Sequence, residues 1–140
     1  VTMRPGAAIF DSATSFAMIR GGHIDTVLLG ALEVAANGDV ANWTVPGGKT
    51  LGVGGAMDLV VGARRVIITM TARSPQGAPK VVETCSLPLT ARGAADVVIT
   101  EHAVFRLRDG RLVLTELLDG ATLAEVLAET GADVVVALDG

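Results

Sequence analysis

The sequence has no tyrosine, one tryptophan and three phenylalanines, so it offers no row of aromatic faces on which single-stranded bases could stack. Cys85 is the only cysteine, which excludes an intrachain disulfide and any CxxC metal motif and fits a reducing, cytoplasmic setting. Basic residues are outnumbered: 11 Lys and Arg against 15 Asp and Glu leave a formal net charge of -4. That balance exerts no pull toward nucleic acid or an anionic membrane. Long apolar runs are lacking too, because Glu33, Asp58, Asp96 and Asp133 interrupt them before the about 18 residues a membrane span requires. The first residues carry no basic-plus-apolar targeting signal, and there is no internal repeat or low-complexity tract.

What is present is apolar. The 140 residues are 50% hydrophobic and include 17 glycines, with a mean hydropathy of +0.53. Disorder and coiled coil are excluded by that composition, and the length fits one domain over residues 1–140. Strands covered on both faces read as continuous Val/Ile/Leu runs. The segments 66–70, 96–100 and 133–138 have this character. They predict neighbouring, buried and largely parallel strands, and hence an α/β fold.

Between these runs the period changes. Asp11 or Ser12 can cap a short helix through Phe16, Ile19 and Arg20 that Gly21-Gly22 ends. Thr122 and Glu125 have capping-box spacing, Leu123, Val126 and Leu127 form an apolar stripe, and Gly131 is the expected stop. Asp109-Gly110 between two alternating segments predicts a hairpin, with Val104, Arg106 and Arg108 on its wet face. The segment 73–80, with Pro75, Gly77 and Pro79, reads as a surface loop, and the Gly/Pro-rich segment 37–55 as ordered chain.

Two phosphate motifs fail on inspection. Gly48-Lys49-Thr50 resembles the end of a Walker A loop, but the leading glycine would fall at Trp43 and Pro46 removes an amide donor. Gly52-Val53-Gly54 opens a GxGxxG that ends at Met57. Gly54-Gly55 ahead of Ala56-Met57-Asp58-Leu59 is more informative: the pair allows close backbone approach and leaves unpaired amides at a helix start, suited to an anion or a developing oxyanion. A tight turn chosen for packing explains it equally well.

Five ordered blocks extend over nearly the whole chain: 15–23 (SFAMIRGGH), 29–34 (LGALEV), 38–43 (GDVANW), 54–59 (GGAMDL) and 85–90 (CSLPLT). In these the sequence resembles the B half of the 3-oxoacid CoA-transferases, most of all the succinyl-CoA:3-oxoacid and 3-oxoadipate enzymes. The resemblance implies an open α/β sandwich with a mostly parallel sheet. It also implies a CoA thioester as co-substrate with no permanently bound cofactor or metal, a 3-oxo acid as acceptor, and a CoA-transferase A half as the partner in an oligomer. In that family a glutamate of a Glu-Asn-Gly motif forms a glutamyl-CoA thioester. The motif lies upstream of the region matched here and does not occur in this chain. Glu33, Glu83, Glu101, Glu116, Glu125 and Glu129 are therefore not assigned its role, and the chain is expected to be N-terminally truncated and inactive alone.

Residue by residue, the resemblance implies that the N–H of Gly55 helps form an oxyanion hole, that Gly54 and Ala56 shape its loop, and that Asn42 and Trp43 line the acyl or CoA cleft. A buried Trp43 with a hydrogen-bonded indole is the structural alternative. Asp58 is expected to cap the following helix, His23 to be a satisfied structural histidine, and Cys85 to be buried filler. The family often has a histidine soon after the Met70 position, where this chain has Thr71-Ala72-Arg73. The other functional reading is a noncatalytic association protein that keeps the fold only; a sugar-phosphate isomerase of related architecture lacks the five blocks.

Overall fold

The computed structural model describes residues 2–44 and 54–138. Helix α1 (Ser12–Arg20) leads into strand β1 (Thr26–Gly30), followed by β2 (Glu33–Ala35), β3 (Val40–Ala41), helix α2 (Ala56–Gly62), β4 (Arg65–Thr69) and β5 (Val81–Val82). Then come β6 (Val97–Ile99), β7 (Ala103–Arg108), β8 (Arg111–Leu117), helix α3 (Leu123–Glu129) and β9 (Val135–Val136). Among the described residues the strands form a six-stranded sheet, β1-β4-β6-β7-β8-β9, and a three-stranded sheet, β3-β2-β5. In the large sheet β1, β4 and β6 run parallel, β7 is antiparallel to both neighbours, and β9 is parallel to β8. The α/β class and the mostly parallel sheet are as the sequence predicts.

The core lies on one face of the large sheet. Registered neighbours Val27 and Val66, then Ile68, Val98, Phe105 and Leu114, cluster with Val34, Val40 and Val81 of the small sheet, Val60 of α2 and Val126 of α3. The charged residue that introduces β6 locks its position: Asp96 Oδ2 accepts from Val66 N at 2.7 Å while Asp96 N donates to Val66 O at 3.0 Å. This two-bond bracket fixes the register of two parallel strands that no short turn connects.

Local signals set the boundaries. Asp11 caps α1 through Thr14 N at 2.7 Å. The turn between β7 and β8 has Asp109 at φ 51° and Gly110 at φ 76°, both left-handed, as a two-residue hairpin turn requires. Thr122 and Glu125 form the capping box of α3. The loop 73–80 is closed on itself by a bridge between Arg73 and Pro79 and by Arg73 Nη1 donating to Gly77 O at 2.6 Å.

Four expectations are corrected. The run at 133–138 contributes only β9, at the far edge beside β8, with Val135 and Val136 exposed at 53% and 40%. The hairpin accounts for this: β7 folds onto the free edge of β6, so the last strand finds only β8. In α3, Val126 alone enters the core while Leu123 and Leu127 stay exposed. The stop is Thr130 rather than Gly131, which instead permits contact with Pro79 and donates to Val81 O at 2.8 Å. On β7 a bulge between Val104 and Phe105 buries Val104, so the wet face begins at Arg106, which pairs with Glu116 at 2.7 Å.

The packing generates two predictions. Gly62 abuts the backbone of Ile19, and a Cβ there would meet the Ile19 carbonyl carbon at 2.9 Å and collide with its oxygen. Gly62→Ala should therefore cost about 1–3 kcal/mol, read as a lowered urea midpoint; an unchanged midpoint would mean that the α1–α2 contact contributes nothing. In the turn between β6 and β7, His102 Nδ1 lies 2.8 Å from Glu129 and joins that turn to the end of α3. The hydrogen bond to Glu129 raises the His102 pKa, helped by the Glu129, Glu101 and Asp119 charges and opposed by desolvation. A raised folded-state pKa stabilises fully below the unfolded histidine value and is lost as pH rises through the folded one. The parent should thus lose thermal stability across that window relative to His102→Gln, and parallel melting-temperature profiles for the two proteins would refute the coupling.

Candidate functional site

The start of α2 and Asn42 both lie toward the end at which the parallel strands finish. Chain direction requires this: α2 leads through two residues into β4, so its N-terminus lies toward the C-terminal ends of β4 and its parallel partner β1. In open α/β sheets this is the end at which ligands bind. Asn42, just after β3, reaches the same place, its Nδ2 donating to Gly30 O at 3.4 Å. Its other polar atoms are tied to Thr90, whose Oγ1 donates to Asn42 Oδ1 at 2.6 Å and accepts from Asn42 N at 3.1 Å. Thr90 is buried, so Asn42 is held on both sides and braces the end of β1 against β3.

Trp43 follows, half-buried. Its indole N–H is shielded from solvent and has no hydrogen-bond partner among the described residues, which corrects the expectation of a satisfied indole. The chain then enters residues 45–53; the Gly48-Lys49-Thr50 and Gly52-Val53 motifs lie outside the described residues.

Gly54, exposed, has φ 52°, and Gly55 is the N-cap of α2 at φ -84° and ψ 1°. A glycine cap has no side chain to turn back on the helix, and the Gly55 N–H has no partner among the described residues. Gly55 is half-buried, and the reason is Phe16: a Cβ on Gly55 would run into Cε1 and Cζ of that ring. Sequence reasoning placed Phe16 in a helix but missed this contact, which joins the first and fourth of the five blocks. Ala56, the first residue of α2, is half-buried next to it.

Asp58 does not cap α2. It sits within the first turn and pairs with Arg20 of α1 at 3.1 Å. Both side chains are exposed, Arg20 at 58% and Asp58 at 37%, so the pair is worth about 0–1 kcal/mol. Its electrostatic effect is more useful: a carboxylate in the first turn would repel an anion approaching the helix start, and Arg20 offsets that charge. The Arg20 guanidinium also lies 5.8 Å from the centre of the Phe16 ring, within cation–π range.

The six glutamates are all engaged. Glu33 accepts from Ser86 N and Oγ at 2.7 Å and from Leu87 N at 3.1 Å. Glu83 holds Arg111 and Asp133 N, Glu101 accepts from Ala72 N, Glu116 pairs with Arg106, Glu125 closes the α3 cap and Glu129 holds His102. Cys85 is half-buried beside Asp39 O, at 3.7 Å, and burial with the nearby Glu33 and Asp39 charges pushes its thiol up to about 11. It is protonated near neutral pH and a poor nucleophile. His23 is exposed with its ring against Gly21 and makes no side-chain hydrogen bond among the described residues, which corrects its reading as a satisfied structural histidine.

The sequence pattern of the coenzyme A transferase family matches residues 1–129. The chain is 53% identical over 135 residues to the beta chain of the acetate CoA-transferase of Escherichia coli K12, covering 96% of this chain and 62% of the relative. It is 52% identical over 136 residues to the B component of a probable succinyl-CoA:3-ketoacid coenzyme A transferase of Bacillus subtilis, covering 97% of this chain and 63% of the relative. The chain thus spans a little under two thirds of these relatives. Among solved structures, the acyl-CoA transferase of Escherichia coli O157:H7 superposes with a TM-score of 0.80 at 25% identity, over 93% of this chain and 30% of the other. With the sequence pattern, the fold and the five blocks in agreement, this chain belongs to the coenzyme A transferase family.

Proposed function

We propose that residues 1–140 form a single domain from the B half of a CoA-transferase that moves CoA from an acyl-CoA such as succinyl-CoA to a 3-oxo acid. The observation that carries this reading is the pairing of a Gly55 N–H without a partner among the described residues, at the sheet end, with six glutamates that are all engaged elsewhere. This is half of a covalent mechanism: a place for an oxyanion without the attacking carboxylate. The nucleophile is then a glutamate upstream of this chain, as the family resemblance implies.

On this reading a glutamate oxygen attacks the thioester carbonyl and CoA leaves as thiolate, giving an anhydride. The thiolate attacks the glutamyl carbonyl, releasing the first acid and forming glutamyl-CoA. The 3-oxo acid then runs the two steps in reverse and leaves as its CoA ester. Each attack places negative charge on a carbonyl oxygen, toward which the Gly55 N–H donates; loss of one such donor typically costs about 10²–10³ in rate. Gly54 and Ala56 hold that loop, while Asn42 and Trp43 flank the acyl or CoA cleft.

The A half of the enzyme is the proposed partner, in a cytoplasmic oligomer. The two ends of one registered row on the large sheet support association: Leu28 and Val135 are exposed at 66% and 53%, while Val97 and Val113 between them are buried within the chain. The alternative reading, a noncatalytic association protein, shares that surface and differs in chemistry.

The experiment is CoA transfer from succinyl-CoA to acetoacetate, with borohydride trapping of the enzyme thioester. It compares this chain alone with the assembly containing the A half and the Glu-Asn-Gly segment. The chain alone should neither transfer nor trap, and the assembly should do both. Gly55→Val should lower turnover by about 10², but its side chain also displaces Phe16, so Phe16→Ala is the control for lost packing and should keep most activity. Trapping by the chain alone would place the nucleophile among its own carboxylates. Equal losses in both variants would reduce Gly55 to a packing glycine, and an inert assembly would favour the association protein.

A further inference from the structure

A groove beside the start of the second sheet has in its wall a lysine, Lys80, that makes no ion pair among the described residues. The groove holds about 450 Å³ between Leu32, Pro75, Ala78, Pro79 and Leu87, with Lys80, Glu33 and the uncharged Ser74 and Gln76 also in its walls. Leu32 and Glu33 follow β1, and the loop ending at Lys80 follows β4. The groove therefore opens at the C-terminal ends of two parallel neighbours, where Asn42 grips Gly30 O.

The Lys80 ammonium reaches Thr71 Oγ1 at 3.5 Å and makes no ion pair among the described residues. Glu33 lines the same groove, but both of its oxygens are taken by Ser86 and Leu87. Glu101 acts on Lys80 from a distance, and its Oε2 accepts from Ala72 N at 2.8 Å. Burial lowers the Lys80 pKa, with the Glu101 charge opposing. An anion beside the ammonium would reverse that loss.

The wall composition narrows the anion. A carboxylate at the end of a methylene chain brings one charge and apolar surface, matching one ammonium in a mostly apolar groove. The phosphates of CoA bring more charge, and no second cation among the described residues lines the groove. We propose that this groove is an acyl-chain subsite in which Lys80 pairs with the terminal carboxylate of a dicarboxylic acyl group, so that it selects succinyl-type over acetyl-type donors. The assignment rests on the acyl-CoA reading above, and nothing in that reading requires Lys80.

The test has two arms. In the active assembly, Lys80→Met keeps the apolar stem and removes the charge, and kcat/KM is measured for succinyl-CoA and acetyl-CoA. The loss of a charged hydrogen bond should lower the succinyl-CoA value by about 10- to 100-fold, with acetyl-CoA changed by less than about twofold and Lys80→Arg restoring part of the loss. Equal losses on both donors would assign Lys80 to CoA or to structure, and no loss on either would remove it from the site. In the second arm, the 140-residue chain is titrated with succinate, acetate and inorganic phosphate while the Lys80 Nζ resonance is followed by NMR. Succinate should raise the Lys80 pKa, acetate and phosphate much less; a phosphate response equal to or above that of succinate would overturn the carboxylate assignment. If the assembly transfers no CoA yet succinate still shifts Lys80, the transfer reading fails and the carboxylate subsite stands. An unshifted Lys80 in an active assembly sinks the subsite alone.

Discussion

The close approach of α1 and α2 is the contact on which the rest of the site depends. Two glycines make it possible: Gly62 lets the end of α2 touch the backbone of Ile19, and Gly55 lets its start lie under the Phe16 ring. A side chain at either position would push the helices apart, so the residues are small for reasons of distance. The consequence reaches the chemistry, because the segment anchored at both ends by α1 is the one that presents the Gly55 N–H. Exposed pairs such as Arg20 with Asp58 add little stability. The backbone contact of Gly62 with Ile19 carries most of the placement, and the Phe16 ring fills the space that Gly55 leaves.

The second constraint is polar. The carboxylates that structure requires are each satisfied by backbone amides or cations, and two of them tie segments far apart in sequence: Asp96 brackets β4 to β6, and Glu33 holds the 86–87 turn against β2. Such bonds fix geometry because a buried or half-buried carboxylate without donors is costly. They also restrict chemistry, since a carboxylate whose lone pairs are occupied is a weak nucleophile. Lys80 differs from these groups in lining a groove while making no ion pair among the described residues.

Much of this was legible in the sequence where local physics decides the outcome. The Asp11 cap, the Asp109-Gly110 turn and the Thr122–Glu125 box are short-range devices, and they appear in the structure where the residue pattern puts them. The β4 and β6 runs were readable because both are buried in parallel pairing. The β9 run has the same composition and a different fate: nothing within residues 133–138 records that the hairpin has already occupied the edge of β6. Asp58 misled for a related reason, as its partner Arg20 lies 38 positions away. Phe16 over Gly55 and the Lys80 groove are likewise contacts between distant segments, invisible to spacing arguments.

Family membership places the fold, and the fold leaves the reaction open, because one architecture hosts several chemistries. What discriminates is the distribution of reactive groups. A hydrolytic or nucleophilic site among the described residues would need a base beside a free nucleophile, and here Cys85 is held protonated, His23 lies exposed, and His102, in the turn between β6 and β7, is occupied by Glu129. What remains toward the ends of β1 and β4 is a backbone donor at Gly55 and, in the groove beside Leu32, the Lys80 cation, for which charge stabilisation and acyl-chain orientation are the proposed roles. That division is coherent with the proposed covalent transfer, in which the attacking carboxylate arrives from another segment: the donor has to serve two different acids and one thiol in turn, and a backbone amide, unlike a titrating side chain, keeps the same charge throughout such an exchange.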